Sequence, residues 1–299
     1  MVETRRDIEP DDAWQRARHV LFVEGRPDAA PGESFDRTVL ATFLADVVQV
    51  EPLGASFHLR SAAEALHPFH STYYFLIDRD HHTDEFVETT WRRFPDPASY
   101  NLLVWRRREL ENYFIDPAYL RRSEHLGVDE PTLRARIREA CQARLYLDVA
   151  NQVITECREP LKQAWIKHFD VPFATRDAAL AAVRDHHAFP EKRESFTVST
   201  RPEALEARFV SILADYTGGR DPLEYGAGRW LERLRGKPVW TTVANSCFRI
   251  SDANNRSLQG PRKALELAKA LVRRPLAEQP ADLQELRRLL VARVRPLAP

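Results

Sequence analysis

Thr72-Tyr73-Tyr74-Phe75-Leu76-Ile77-Asp78 is an unbroken apolar run, rich in aromatic residues and ended by the charged Arg79-Asp80. It has no polar alternation, so it reads as a strand covered on both faces. His19–Glu24 (HVLFVE) repeats the pattern before Gly25 and Pro27. Val47–Glu51, closed by Pro52 and Gly54, and Tyr100–Trp105 (YNLLVW) supply two further strands. Helical spacing fills the intervals. Ser34 can cap a helix in which Val39, Leu40, Phe43, Leu44 and Val47 recur. Ser61–Leu66 is a short helix at best, stopped before Pro68, and Phe86–Arg93 is another. Strands separated by helices predict an α/β fold with a parallel sheet and right-handed crossovers.

From Asp116 the texture changes to helical patterns at 131–166, 175–187, 202–216, 222–234, 260–274 and 281–294, most of them opening at Pro or a small polar residue. The expected organisation is an α/β domain over residues 1–116, followed by a mostly helical region over 117–299 that packs back on the sheet. At 299 residues and 43% hydrophobic, the chain has material for a substantial core. No apolar run nears the ~18–20 residues of a membrane span, and the charged N-terminus is unlike a signal peptide. Cys141, Cys157 and Cys247 lack the spacing of a disulfide framework or a zinc module. A cytoplasmic location without membrane contact is the expectation.

Net charge is zero, yet residues 1–120 carry 13 Lys and Arg against 21 Asp and Glu, and residues 121–299 carry 31 against 23. That asymmetry suits a carboxylate-rich metal site beside a phosphate-holding surface, and equally an ordinary solvated surface. Three acidic clusters fall at expected carboxyl ends of strands, where ligands bind in open α/β sheets. They are Glu24 in Glu24-Gly25-Arg26-Pro27-Asp28, the pair Asp78 and Asp80, and Glu109 and Glu111. In an extended segment Asp78 and Asp80 would point the same way. Converging carboxylates repel unless a cation lies between them, and hard oxygen ligands select Mg²⁺ or Mn²⁺.

An apolar strand ending in Glu-Gly-x-x-Asp, with a second ending in Asp-x-Asp about fifty residues on, resembles the TOPRIM domain of topoisomerases, bacterial primases, small maturation nucleases and the OLD (overcoming lysogenization defect) nucleases. Glu109-Leu110-Glu111-Asn112-Tyr113-Phe114-Ile115-Asp116 resembles the Glu-Asn-Tyr signature of a TOPRIM-like family from bacterial defence loci, to which the nuclease subunit of the PARIS anti-phage system belongs. The resemblance covers residues 18–116, with Gly236-Lys237 as a late match. It implies a Rossmann-like sheet and a Mg²⁺-dependent nuclease acting on DNA or RNA, tRNA included, as a defence effector. Glu24 would be the catalytic acid residue, as ligand or general base, and Asp78 and Asp80 metal ligands. Glu111 would serve a second metal or support the first, with Asp28 and Asn112 behind the ligands. Lys237 would stabilise charge at the scissile phosphate; its bland alternative is a surface lysine after a helix-ending glycine. The implied partners are nucleic acid, a separate ABC- or AAA-type ATPase and a second copy of the chain. His81, His82 and Thr83 stand where many TOPRIM enzymes have a glycine, which speaks against a primase or topoisomerase.

Other features are weaker. His81 and His82 could shuttle protons, or simply face solvent. Arg106–Arg108 could grip a phosphate backbone or form a solvated face. Gly226-Ala227-Gly228, within an expected helix, is no dinucleotide fingerprint. Two rival functions are a haloacid-dehalogenase-type phosphatase, which also uses Asp-x-Asp, and a non-catalytic sensor subunit.

Overall fold

The computed structural model describes residues 19–26, 34–67, 69–96, 101–162, 188–252 and 254–294, with isolated positions between 175 and 182. Its sheet has four parallel strands in the order β2-β1-β3-β4. These are β1 (Val20–Val23), β2 (Gln49–Pro52), β3 (Tyr73–Ile77) and β4 (Leu102–Val104). Val20 stands beside Gln49 on one side and Tyr73 on the other. The chain leaves β1 for β2 and then crosses to β3 on the opposite flank. The order therefore reverses between β1 and β3, and at such a switch point the diverging loops open a crevice at the carboxyl ends.

The first three helices run as expected in place if not in length. α1 (Phe35–Phe43) buries Val39, Leu40 and Phe43. α2 (Ser56–Leu66) starts one turn earlier than the periodicity predicts. Leu59 in that turn is buried but Phe57 is exposed, so the apolar residues there do not share one face. α3 (Asp84–Arg93) is capped by Thr83, whose Oγ1 accepts from Phe86 N–H at 3.2 Å; acidic residues open it and Arg92 and Arg93 close it, as the helix dipole favours. Trp91 Nε1 donates to Val104 O at 2.8 Å and pins α3 to β4.

After β4 come a buried 3-10 turn (Leu110–Ile115), α4 (Pro117–Leu120), α5 (Glu130–Gln142), α6 (Leu145–Lys162), α7 (Ala188–Ser199), α8 (Pro202–Thr217), α9 (Trp230–Arg233), α10 (Gly236–Cys247), α11 (Gly260–Val272) and α12 (Ala281–Val294). The chain forms two compact units, one of residues 1–141 with 231–299 and one of 142–230. The texture of the sequence changes at Asp116, whereas the units divide at 141/142 and 230/231.

Two helix expectations need correction. The pattern at 131–166 is two helices, α5 and α6. Leu133, Ile137, Cys141, Leu145, Val149 and Val153 are buried at an unbroken spacing of four, so periodicity could not reveal the break. The expected helix at 222–234 shrinks to the single turn α9. Gly228 has φ +63°, and a Cβ there would lie 2.2 Å from Tyr216 O, so this stretch is a close backbone crossing. The pattern at 175–187 lies largely outside the described residues.

In the sheet-bearing unit, Trp105, Tyr113, Phe114 and Trp240 are essentially solvent-free. The arginine run is bracing rather than a phosphate grip or a solvated face. Arg106 lies 4.0 Å over the Trp91 ring and pairs with Glu88, Asp282 and Glu285. Arg107 donates to Asn112 O at 2.8 Å, and the buried Arg108 donates to Arg233 O at 3.2 Å. In the helical unit, Val149, Val153, Ile212 and Tyr216 are buried, and Arg208 on α8 reaches Glu156 and Cys157 on α6. Among the described residues no helix is long and apolar enough to cross a membrane.

Candidate active site

The crevice between β1 and β3 is a cleft of about 1050 Å³ within the sheet-bearing unit. Glu24, Asp36, Asp78, Glu111 and Lys237 line it, with Arg26, His58 and Arg262 also on its wall. Glu24 follows β1 and Asp78 follows β3. Glu24 Oε1 accepts from Asp78 N–H at 2.9 Å, a bond that ties the two strand ends together.

The carboxylates act on one another. Burial, with Asp80 and Asp36 nearby, pushes Glu24 up to about 7, although Asp78 N–H and Lys237 oppose the shift. Burial raises Asp78 well above the usual carboxylate range, helped by Asp36, Glu24, Glu109 and Glu111. Burial and Asp36 take Glu111 to about 8. Asp36 itself reaches about 6 through burial and Glu109, against the pull of Lys237. The positive charge of Lys237 is held above its ordinary pKa by Glu111, Asp36 and Glu109, against burial. Desolvation and like charge both disfavour the ionised carboxylates, so a cation entering the cleft would relieve both.

Asp36 is the cluster member that the sequence reading missed. It sits in the first turn of α1, where a negative charge is unremarkable. Its only signal was its place at the start of the first helix after β1. Asp80, expected beside Asp78, departs from that pattern. The strand ends at Ile77, His82 N–H turns back to Arg79 O at 2.8 Å, and Asp80 is exposed with φ +42°. Two-residue alternation does not survive a turn, so Asp80 is not aimed by the strand, although its charge still acts on Glu24. Asp28 lies outside the described residues. His82 stacks on Phe86 at 4.8 Å, and burial lowers it to about 3, so it stays neutral and packs.

Glu111 is 3% exposed in its side chain, and its Oε1 is buried without a hydrogen-bond partner. Lys237 Nζ, 3.7 Å away, is a charge neighbour at beyond hydrogen-bond length, on a side chain 61% exposed. Lys237 does not follow a helix-ending glycine; Gly236 is buried and opens α10. Asn112 supports a different neighbour from the one expected. Its Oδ1 accepts from Glu109 N–H at 3.0 Å, and its Nδ2 donates to Leu231 O and Leu234 O, each at 2.9 Å. Glu109 faces Arg235 Nε at 3.0 Å and accepts from Lys237 N–H at 2.9 Å.

Mg²⁺ suits this donor set in kind, because every candidate ligand is a carboxylate oxygen and one buried oxygen is unpartnered. Among the described residues no three His, Cys, Asp or Glu side chains form a ready cage for a metal ion. Mg²⁺ ordinarily takes one or two carboxylates and keeps several waters, so a partial set is compatible with it. No protein-family model matches the chain, and no curated protein matches it.

Proposed function

We propose that this cleft hydrolyses phosphodiester bonds of DNA or RNA with Mg²⁺ or Mn²⁺, and that the chain is a TOPRIM-like nuclease, the effector of a defence system with a separate ATPase. The observation that carries the reading is the buried Glu111 Oε1, without a hydrogen bond and with only the Lys237 ammonium 3.7 Å away, in a cleft shared with Glu24 and Asp78. Glu24, Asp78 and Glu111 would hold the ion. Bound there, Mg²⁺ supplies a polarised phosphate and an acidified water.

The remaining roles belong to the chain's own groups. Glu24 Oε1 is engaged by Asp78 N–H, which leaves Oε2 as ligand or proton acceptor. A carboxyl near pKa 7 takes and releases a proton at neutral pH. Lys237 Nζ faces the position where negative charge builds on the phosphate. Arg26 and Arg262 on the cleft wall suit flanking phosphates. The exposed, left-handed Asp80 counts against the phosphatase rival, which needs both members of Asp-x-Asp at the reacting centre, and equally against Asp80 as a TOPRIM ligand, so Glu111 stands in its place in the proposed set.

The test is cleavage of labelled single-stranded and duplex DNA and RNA, with Mg²⁺ or with EDTA, by the wild-type chain and by Asp78→Asn. Mg²⁺-dependent cleavage lost in Asp78→Asn is the expected result. Phosphate release from p-nitrophenyl phosphate without strand cleavage would replace the nuclease with the phosphatase. Equal cleavage by Asp78→Asn would remove the cleft from the reaction.

A further inference from the structure

The Glu-x-Glu-Asn-Tyr segment at 109–113 and the segment 231–237 lie more than a hundred residues apart in the chain, yet Glu109 and Asn112 join them by four hydrogen bonds. Asn112 is wholly buried and spends both Nδ2 protons on the carbonyls of Leu231 and Leu234. Its Oδ1 takes Glu109 N–H, and Asn112 N–H returns to Glu109 O at 3.1 Å, so the turn is locked on itself. Glu109 then reaches forward with one oxygen to Arg235 Nε and the other to Lys237 N–H. That N–H lies in the first turn of α10, where a backbone donor has no partner within the helix. Gly236 closes the joint: a Cβ there would lie 2.6 Å from both Asn112 N and Oδ1. A glycine is needed because the two backbones touch.

The residue delivered by this joint is Lys237. Its backbone is fixed by Glu109, and its ammonium is set 3.7 Å from Glu111 on the cleft wall. A lysine side chain gives up rotamer freedom when its amine is used at one place, and a fixed backbone shortens the list of positions the amine must search. We propose that Asn112 and Glu109 are positioning residues for Lys237: the 109–112 turn clamps residues 231–237 so that the Lys237 ammonium faces the reacting phosphate. The clamp stands on the hydrogen bonds alone, and its catalytic consequence rests on the nuclease reading above. Neither positioning residue lines the cleft. Displacing a catalytic group by about 1 Å costs on the order of 10²-fold in rate, so the clamp governs turnover rather than affinity.

Two readouts test the proposal, on wild type, Asn112→Ala, Glu109→Met, Lys237→Ala and the Asn112→Ala/Lys237→Ala double variant. The first is amide hydrogen exchange at Lys237, which needs no activity. In Glu109→Met and Asn112→Ala it should quicken at least about tenfold, while amides in α11 keep their rates. The second is the split between kcat and KM. Both positioning variants should lose kcat, about 10–10²-fold, with KM changed less than about threefold. The double variant should be no slower than Lys237→Ala, since a positioning residue has nothing left to position. Unchanged exchange at Lys237 in a folded variant overturns the clamp. Losses that multiply in the double variant, or fall on KM, overturn its catalytic role. If Asn112→Ala does not fold, Glu109→Met, which keeps the length of the side chain but offers Lys237 N–H no oxygen, decides both points. Quickened exchange with no cleavage by any form, wild type included, would keep the clamp and reject the nuclease reading.

Discussion

Among the described residues the sheet-bearing unit buries far more charge than the helical unit, where Asp148, paired with Arg144, is the buried charge. The sheet-bearing unit buries Arg79, Arg108, Glu109, Glu111 and Asn112, groups that fold only if each finds a partner. The helical unit, over 142–230, leaves Tyr146, Leu147, Ile154, Phe196, Val198 and Val210 substantially exposed. Exposed apolar residues are common on folded proteins and cost little, whereas buried charge costs several kcal/mol unless matched. Evidence for chemistry therefore lies where the chain accepts that cost. Arg79 is matched by Asp84 and Arg106 O, and Glu109 by Arg235 and Lys237 N–H. Glu111 Oε1 has only the charge of Lys237 at 3.7 Å and no hydrogen bond. Arg79 Nε and Arg108 Nε also lack a hydrogen-bond partner, but of these three residues Glu111 alone lines the cleft, and its open atom is an oxygen that a cation can use.

The contrast can be broken at four strengths. Glu24→Gln, in the sheet-bearing unit, should reduce metal-dependent cleavage by about 10²–10⁴-fold with little change in fold, as measured by single-turnover kinetics. Wild-type rates would end the assignment of this unit as the reacting one. Lys237→Ala should cost about 10²–10³-fold, more in kcat than in KM, with Lys263→Ala as the comparison. Lys263 is buried and bonded to Asn245 O at 3.1 Å, so its loss should show in stability rather than in turnover.

The third test is pH. Glu24, Asp36 and Glu111 titrate in the folded chain at about 7, 6 and 8, above their ordinary values, because burial and neighbouring carboxylates penalise the charge. The folded state holds these protons where the unfolded chain has released them. Stability is therefore fullest below about pH 4.5 in this respect and is lost as pH rises through 6 to 8. Metal-free protein should melt at a lower temperature at pH 8 than at pH 5. Glu111→Gln should flatten the upper part of that fall, and Mg²⁺ should restore wild type at pH 8 more than the variant. A flat profile in scanning calorimetry would mean the carboxylates do not burden the fold.

The smallest effect belongs to the other unit. Ile154→Ser and Val210→Ser should each change stability by less than about 0.5 kcal/mol and leave cleavage unaltered. A large loss of cleavage in either would show that the helical unit takes part in the reaction.

The sheet was legible because its strands are apolar on both faces and end in turn residues, a local signal. Glu24 and Asp78 were legible for the same reason, as the first polar residues after such runs. Asp80 was misread because alternation was extended past the end of the strand, where Arg79 and His82 already make a turn. Asp36 was invisible because an acidic residue in a first helical turn is ordinary. Asn112 was noticed, but its real partners, the carbonyls of Leu231 and Leu234, have no side-chain signature to read. The break between α5 and α6 left no trace in spacing.

The joint between residues 109–112 and 231–237 also sets a timetable. Synthesis proceeds from the N-terminus at about 5–20 residues per second. Glu24 therefore leaves the ribosome roughly 10–40 s before Lys237. During that interval the carboxylates exist without the segment that answers Glu109 and Asn112. A product cut short before residue 231 carries Glu24, Asp36, Asp78 and Glu111 but has no Lys237 and no clamp. The carboxylates of the cleft and the amine that faces them are thus separated in the order of synthesis, although they share one wall in the fold.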